Sequence, residues 1–142
     1  MGLFPAAAHQ PRPGLGPSIG LATFALLGHL LVLLLRQAAP VGNSLNGLAT
    51  IMAGALYAWL AEKRVPGALA SPSLRWRIAA YAGCLEAAAL VPILILTAKA
   101  SRLTMPWGLT AGAAALIAVL WALFQWVGLV VGEKGARRRR EQ

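Results

Sequence analysis

Two side chains in this 142-residue chain could do chemistry where apolar surroundings leave little room for it. Glu86 stands inside the run IAAYAGCLEAAALVPILILT, and His29 stands inside SIGLATFALLGHLLVLLL. An acid at the centre of a membrane span costs at least ~2.5–3.5 kcal/mol on insertion scales, so it is normally protonated, paired or facing a cavity. Counted from helix ends on a common side, at ~1.5 Å per residue, Glu86 lies ~13 Å deep and His29 ~16 Å deep. The two depths agree to within one helical turn, and the spacing predicts a His29–Glu86 contact. Such a pair offsets the desolvation of both groups and holds a proton that can be passed on. The chemistry open to it is proton or ion coupling. The bland alternative is a Glu86 hydrogen-bonded to a neighbouring helix and a neutral His29 packed on alanine.

Other chemistry has no residues to carry it. Cys84 is the only cysteine, which excludes an intrachain disulfide and any paired-thiol oxidant or metal carrier. His9 and His29 are the only histidines, so no zinc-type cluster assembles and no metal ligands are assigned. There is no phosphate-cradling glycine loop, no nucleophile with a base, and no carboxylate pair. Catalytic residues and cofactors are therefore both set at none, and the chain is read as non-enzymatic. Met1-Gly2 opens like an acylation site, but Ala6 stands where that motif wants Ser or Thr.

The elements that must position Glu86 and His29 follow from the composition. Apolar residues make up 58% of the chain and charged ones 12%, about half the ~25% of soluble domains, so lipid is the expected solvent. Four apolar segments predict an all-α membrane fold, a four-transmembrane-helix bundle with spans at residues 18–35, 44–61, 78–97 and 107–131. Residues 1–17, rich in proline and glycine, read as an irregular tail. Residues 62–77 read as a basic loop, and 132–142 as a polar, disordered tail. The second span is the least hydrophobic, with Asn43, Ser44 and Asn46 able to cap it. Pro92 should leave the Ala88 carbonyl without its usual donor and kink the third. Tyr57, Trp59, Trp76 and Trp107 suit interface positions.

Charge then sets orientation. The formal charge is +9, and it is concentrated in short segments where anionic lipid headgroups, not nucleic acid, are the expected partners. Arg12, Lys63, Arg64, Arg75, Arg77, Lys134, Arg137, Arg138, Arg139 and Arg140 fall on the side shared by both termini. Only Arg36, Lys99 and Arg102 fall on the other. The positive-inside rule places both termini and the central loop in the cytoplasm.

Lipid gives helices no hydrophobic reason to associate, so small and polar residues mark the contact faces. The first helix offers Ser18, Ala22, Ala25 and His29, leaving Leu27, Leu30, Leu31 and Leu34 for lipid. The second offers Asn43, Gly47, Thr50, Gly54, Tyr57 and Ala61, at steps of four and three that suit a left-handed bundle. The third offers Ala79, Gly83, Glu86 and Ala87. The fourth offers Gly108, Ala111, Gly112, Ala115, Ala118, Ala122 and Gln125. Gly47, Gly54, Gly83, Gly108 and Gly112 are thus the expected close-packing glycines, and Gln125 the expected interhelical hydrogen-bonding residue.

Ala53, Gly54 and Tyr57 running into Arg64 and Pro66 form a small-residue helix that ends in a basic turn. Over residues 44–77 this resembles the ABZJ family, small four-helix bacterial inner-membrane proteins of unknown function. The resemblance implies a fold and a membrane location, and brings no activity. Together these readings lead to an accessory, assembly or oligomerising protein of a bacterial inner membrane, in a larger membrane complex or as a homo-oligomer. The alternative is a small proton-coupled transporter using Glu86 with His29.

Overall fold

A computed structural model describes residues 16–38, 44–100, 106–139 and 141–142, and within them every regular element is an α-helix. They are α1 (Gly16–Ala38), α2 (Ser44–Arg64), α3 (Pro72–Ala100) and α4 (Trp107–Arg138). Among the described residues three helical stretches are long and apolar enough to cross a membrane: Gly16–Gln37, Pro72–Ile93 and Gly108–Arg138. α2 carries Asn46, Thr50, Glu62, Lys63 and Arg64 in its sequence, which lower its hydropathy.

The helices form a ring in which α1 touches α2 and α3, and α4 touches the same two. Side-chain pairings give the directions. Phe24 meets Tyr57 edge-on at 5.9 Å and Gly28 packs on Ala49, so α1 and α2 run antiparallel. Trp76 meets Trp126 at 6.5 Å while Gly83 lies on Ala118 and Ala122, so α3 and α4 are antiparallel as well. Gly47 sits on Phe124, Gly54 on Gly128, and Ala55 on Gly132. Both series climb together, and α2 and α4 are therefore parallel neighbours.

Small residues permit that last crossing. A Cβ at Gly128 would strike the Ile51 carbonyl oxygen, and one at Gly132 the Ala55 carbonyl oxygen. A Cβ at Gly54 would come within 2.9 Å of the Gln125 carbonyl. Backbone cannot yield as a flexible side chain does, so these three positions admit nothing larger than glycine. Close backbone approach maximises dispersion contacts, which is the force available between apolar helices in an apolar solvent.

The expected contact stripe on α4 holds only in its C-terminal part. Ala122 and Gln125 are buried, but Gly108, Ala111, Gly112 and Ala115 are exposed, and nothing described lies within 4 Å of a Cβ placed on Gly108 or Gly112. The register explains the difference. With Gly128 on Ile51 and Gly132 on Ala55, the start of α2 at Ser44 comes level with Trp121. The earlier part of α4 extends past the end of α2 and has no α2 surface to meet. The packing expected of Gly108 and Gly112 falls instead to Gly128 and Gly132.

The helices are also longer than the apolar runs that predict them. α3 begins at Pro72, so much of the expected basic loop is helix. Proline at the first helical position has the right φ and lacks only an N–H that would be unpaired anyway, and Ser71 O accepts the Arg75 amide at 3.1 Å. The remaining turn closes through Ala68 N to Val65 O at 3.0 Å and Ala70 N to Gly67 O at 3.1 Å, with Gly67 at φ 79°. That left-handed conformation is the reason for glycine there. α4 continues to Arg138 in place of the expected disordered tail, held by an Arg137–Glu133 pair one turn apart at 2.6 Å. α3 runs unbroken through Pro92.

The apolar core gathers at the end where α2 turns into α3. Leu21 and Ala22 of α1, Tyr57, Ala58 and Ala61 of α2, Leu69 of the turn, Ile78, Ala79 and Ala82 of α3, and Leu129 of α4 form one buried cluster. Leu27, Leu30, Leu31 and Leu34 are exposed, as expected of a face turned away from the bundle.

Candidate functional site

His29 and Glu86 reach each other because each ends a small-residue face. Ser18, Ala22 and Ala25 precede His29 on α1 and all are buried. Ala79 and Ala82 precede Glu86 on α3 and are buried too. Side chains on a helix lean toward its N-terminus, and α1 and α3 run the same way, so the two groups lean together. His29 Nε2 lies in direct hydrogen-bond contact with Glu86 Oε1.

The remaining two helices complete the cluster. Gln125 Nε2 of α4 donates to Glu86 Oε2 at 2.5 Å. Thr50 of α2 donates its hydroxyl to Asn46 O at 3.0 Å and places Oγ1 3.4 Å from His29 Nε2. Each helix thus contributes one polar residue, and Glu86, Gln125 and Thr50 are fully buried. Both Glu86 oxygens are engaged, one toward α1 and one toward α4. With the Gln125 amide on one oxygen and the His29 imidazole on the other, both carboxyl oxygens have partners, which is the condition for keeping such a group away from water. His29 keeps an 11% exposed side chain, and its ring lies 4.9 Å from that of Trp121 at 51°. Trp121 in turn lies 5.8 Å from Phe124.

A second charged cluster lies at the other end of α3 and α4. Glu133 takes a close ion pair from Arg75 of α3 and a second, at 2.6 Å, from Arg137 of its own helix. Arg75 was expected to meet lipid headgroups. Its side chain is 12% exposed and turned to Glu133, because α3 starts early enough to bring residue 75 beside the end of α4. Glu62 at the end of α2 accepts the amides of Gly67 at 2.9 Å and Leu69 at 3.0 Å, binding the turn to the helix that precedes it. Glu62, Glu86 and Glu133 are all buried, and of the four acids only Glu141 is exposed.

The other expected basic residues divide by position. Lys63, Arg64, Arg77, Arg138 and Arg139 are exposed, and Lys63 Nζ sits 5.2 Å over the Trp59 ring. Arg12, Arg102 and Arg140 lie outside the described residues, as does the Asn43 cap, and so do the side chains of Lys99 and Trp107. Gly47, Gly54 and Gly83 lie at helix contacts; Gly83 would bring a Cβ within 2.8 Å of the Ala118 carbonyl. Cys84 is exposed on α3, facing away from the cluster that holds Glu86.

Several contributors escaped sequence reasoning. Thr50 and Gln125 were expected as packing or hydrogen-bonding residues, and nothing in their spacing points to Glu86 as the shared centre. Trp121, Glu62 and Glu133 carried no signal beyond residue type. Gly128 and Gly132 did: they stand four apart, the small-x-x-x-small spacing of close helix crossings. No group of three or more His, Cys, Asp or Glu residues able to hold a metal occurs among the described residues. No family model, no curated protein and no solved structure matches this chain.

Proposed function

We propose that this chain is a non-enzymatic integral membrane protein of four spans that acts as an assembly or accessory subunit of a larger membrane complex or as a homo-oligomer. α2 is taken as the fourth span because it is the helix wedged between α1 and α4 and is about 31 Å long at 1.5 Å per residue. The charge distribution supports both termini and the turn at 65–71 in the cytoplasm, with exposed Lys63, Arg64, Arg77, Arg138 and Arg139 meeting anionic headgroups. The resemblance of residues 44–77 to the ABZJ family is the ground for placing the chain in a bacterial inner membrane.

One observation carries the assembly reading: the carboxyl group inside the bundle is engaged on both oxygens by side chains of neighbouring helices. Glu86 is fully buried with both oxygens bonded, which supports its reading as an interhelical tie. The experiment is native mass spectrometry of the protein released in mild detergent, combined with carbodiimide labelling of Glu86. A defined oligomer or stoichiometric complex with Glu86 unreactive is the expected result. Labelling of Glu86 that a transported compound blocks would overturn it.

A second reading, proton-coupled transport through Glu86 and His29, has one observation in its favour. His29 is 11% exposed, so the pair is not sealed on the α1 side, and an intramembrane acid beside a histidine is a suitable proton carrier.

A further inference from the structure

The polar cluster contains two atoms that the protein itself leaves unmatched. Gln125 is fully buried, and while its Nε2 donates to Glu86, its Oε1 is shielded from solvent and accepts from no group among the described residues. Trp121 Nε1 is likewise buried and donates to no group among the described residues. The two residues stand four apart on α4, on one face, with Cβ atoms about 5–6 Å from each other. One atom lacks a donor and the other lacks an acceptor. Buried polar groups are nearly always hydrogen-bonded, to protein or to ordered water, and water is retained inside proteins where two or more such groups converge.

We infer that the cluster is a binding site for a single water molecule, which accepts from Trp121 Nε1 and donates to Gln125 Oε1. His29, whose ring packs on Trp121, borders the site. The titratable groups of the site are His29 from α1 and Glu86 from α3; α2 contributes Thr50 and α4 contributes Gln125 and Trp121, none of which ionises near neutrality. The water prolongs the hydrogen-bonded chain from His29 through Glu86 and Gln125 to Trp121. This inference does not depend on the assembly role proposed above.

The test is nuclear magnetic resonance on the full chain, with its tryptophans labelled with nitrogen-15 at the indole and reconstituted in lipid nanodiscs. Trp121→Phe assigns the resonance. A water cross-peak to the Trp121 indole proton, with the sign of a long-lived bound molecule, is expected in the unaltered protein and is expected to be lost in Gln125→Leu. Gln125→Met, which keeps the length and removes the carbonyl, serves where the leucine variant fails to fold. Absence of the cross-peak in the folded unaltered protein would overturn the inference. A cross-peak unchanged in a folded Gln125 variant would overturn it too, because the indole would then be touching bulk water.

Discussion

Glu86 of α3 binds His29 of α1 across a sequence separation of 57 residues, and the same carboxyl group binds Gln125 of α4 with its other oxygen. The carboxyl group therefore joins three helices and, through the Thr50–His29 approach, touches the fourth. Apolar helices in lipid can rotate and slide against one another at small cost. A polar group with one set of partners selects a single arrangement among them, since any rotation of α3 takes the Glu86 carboxyl group away from His29 and Gln125.

A double-mutant cycle over Glu86→Gln and His29→Ala, read by thermal unfolding in detergent, is expected to give a coupling energy of about 0.6–1.7 kcal/mol, the range of polar contacts between membrane helices. Strictly additive effects would mean that the contact contributes nothing to stability.

Glycine positions on α4 should separate into two classes. Gly132→Ala sets a methyl against the Ala55 carbonyl and Gly128→Ala sets one against the Ile51 carbonyl, so each is expected to destabilise by about 1–3 kcal/mol, as overpacking does. Gly108→Ala and Gly112→Ala meet nothing among the described residues and should stay within about 0.5 kcal/mol of the parent, apart from any gain in helix propensity. Equal effects at all four positions, measured in the same unfolding assay, would refute the parallel α2–α4 crossing.

At the Arg75–Glu133–Arg137 cluster the outcome depends on which partner is removed. Arg137 has a half-exposed side chain, so Arg137→Ala is expected to cost about 0.2–1 kcal/mol. Glu133→Ala removes the acid in direct contact with the nearly enclosed Arg75, leaving it the more distant charge of Glu62, and should cost clearly more, up to about 3 kcal/mol. Unfolding midpoints should restore toward the parent in the exchange Arg75→Glu with Glu133→Arg. No restoration would show that the two residues act separately.

Glu62 predicts a local effect and not a global one. Its carboxylate accepts the Gly67 and Leu69 amides, and an unmade bond to a buried amide costs about 1–3 kcal/mol. In Glu62→Ala, hydrogen exchange at those two amides should accelerate while the amides of α4 remain protected. Unchanged exchange at the turn would remove Glu62 from its role as the turn's anchor.

Much of this protein was legible in the chain itself. Four helices follow from runs of apolar residues at the right length, and periodicity names the buried faces of α1, α2 and α3 through Ala22, Tyr57 and Ala79. The His29–Glu86 pairing follows from depth, because rise per residue converts position in sequence into distance along a membrane normal. Composition and local spacing could go no further than this, as they describe each helix alone.

Tertiary structure decided which helices are neighbours and at what register. The parallel α2–α4 crossing, set by Gly54, Gly128 and Gly132, fixes where α2 begins beside α4, and so leaves Gly108 and Gly112 uncovered. The antiparallel α3–α4 pairing, with both helices continuing beyond their apolar runs, brings Arg75 to Glu133. It also brings Gln125 to Glu86. These are relations between side chains far apart in sequence, and their energies exist only once helix contacts have set the distances.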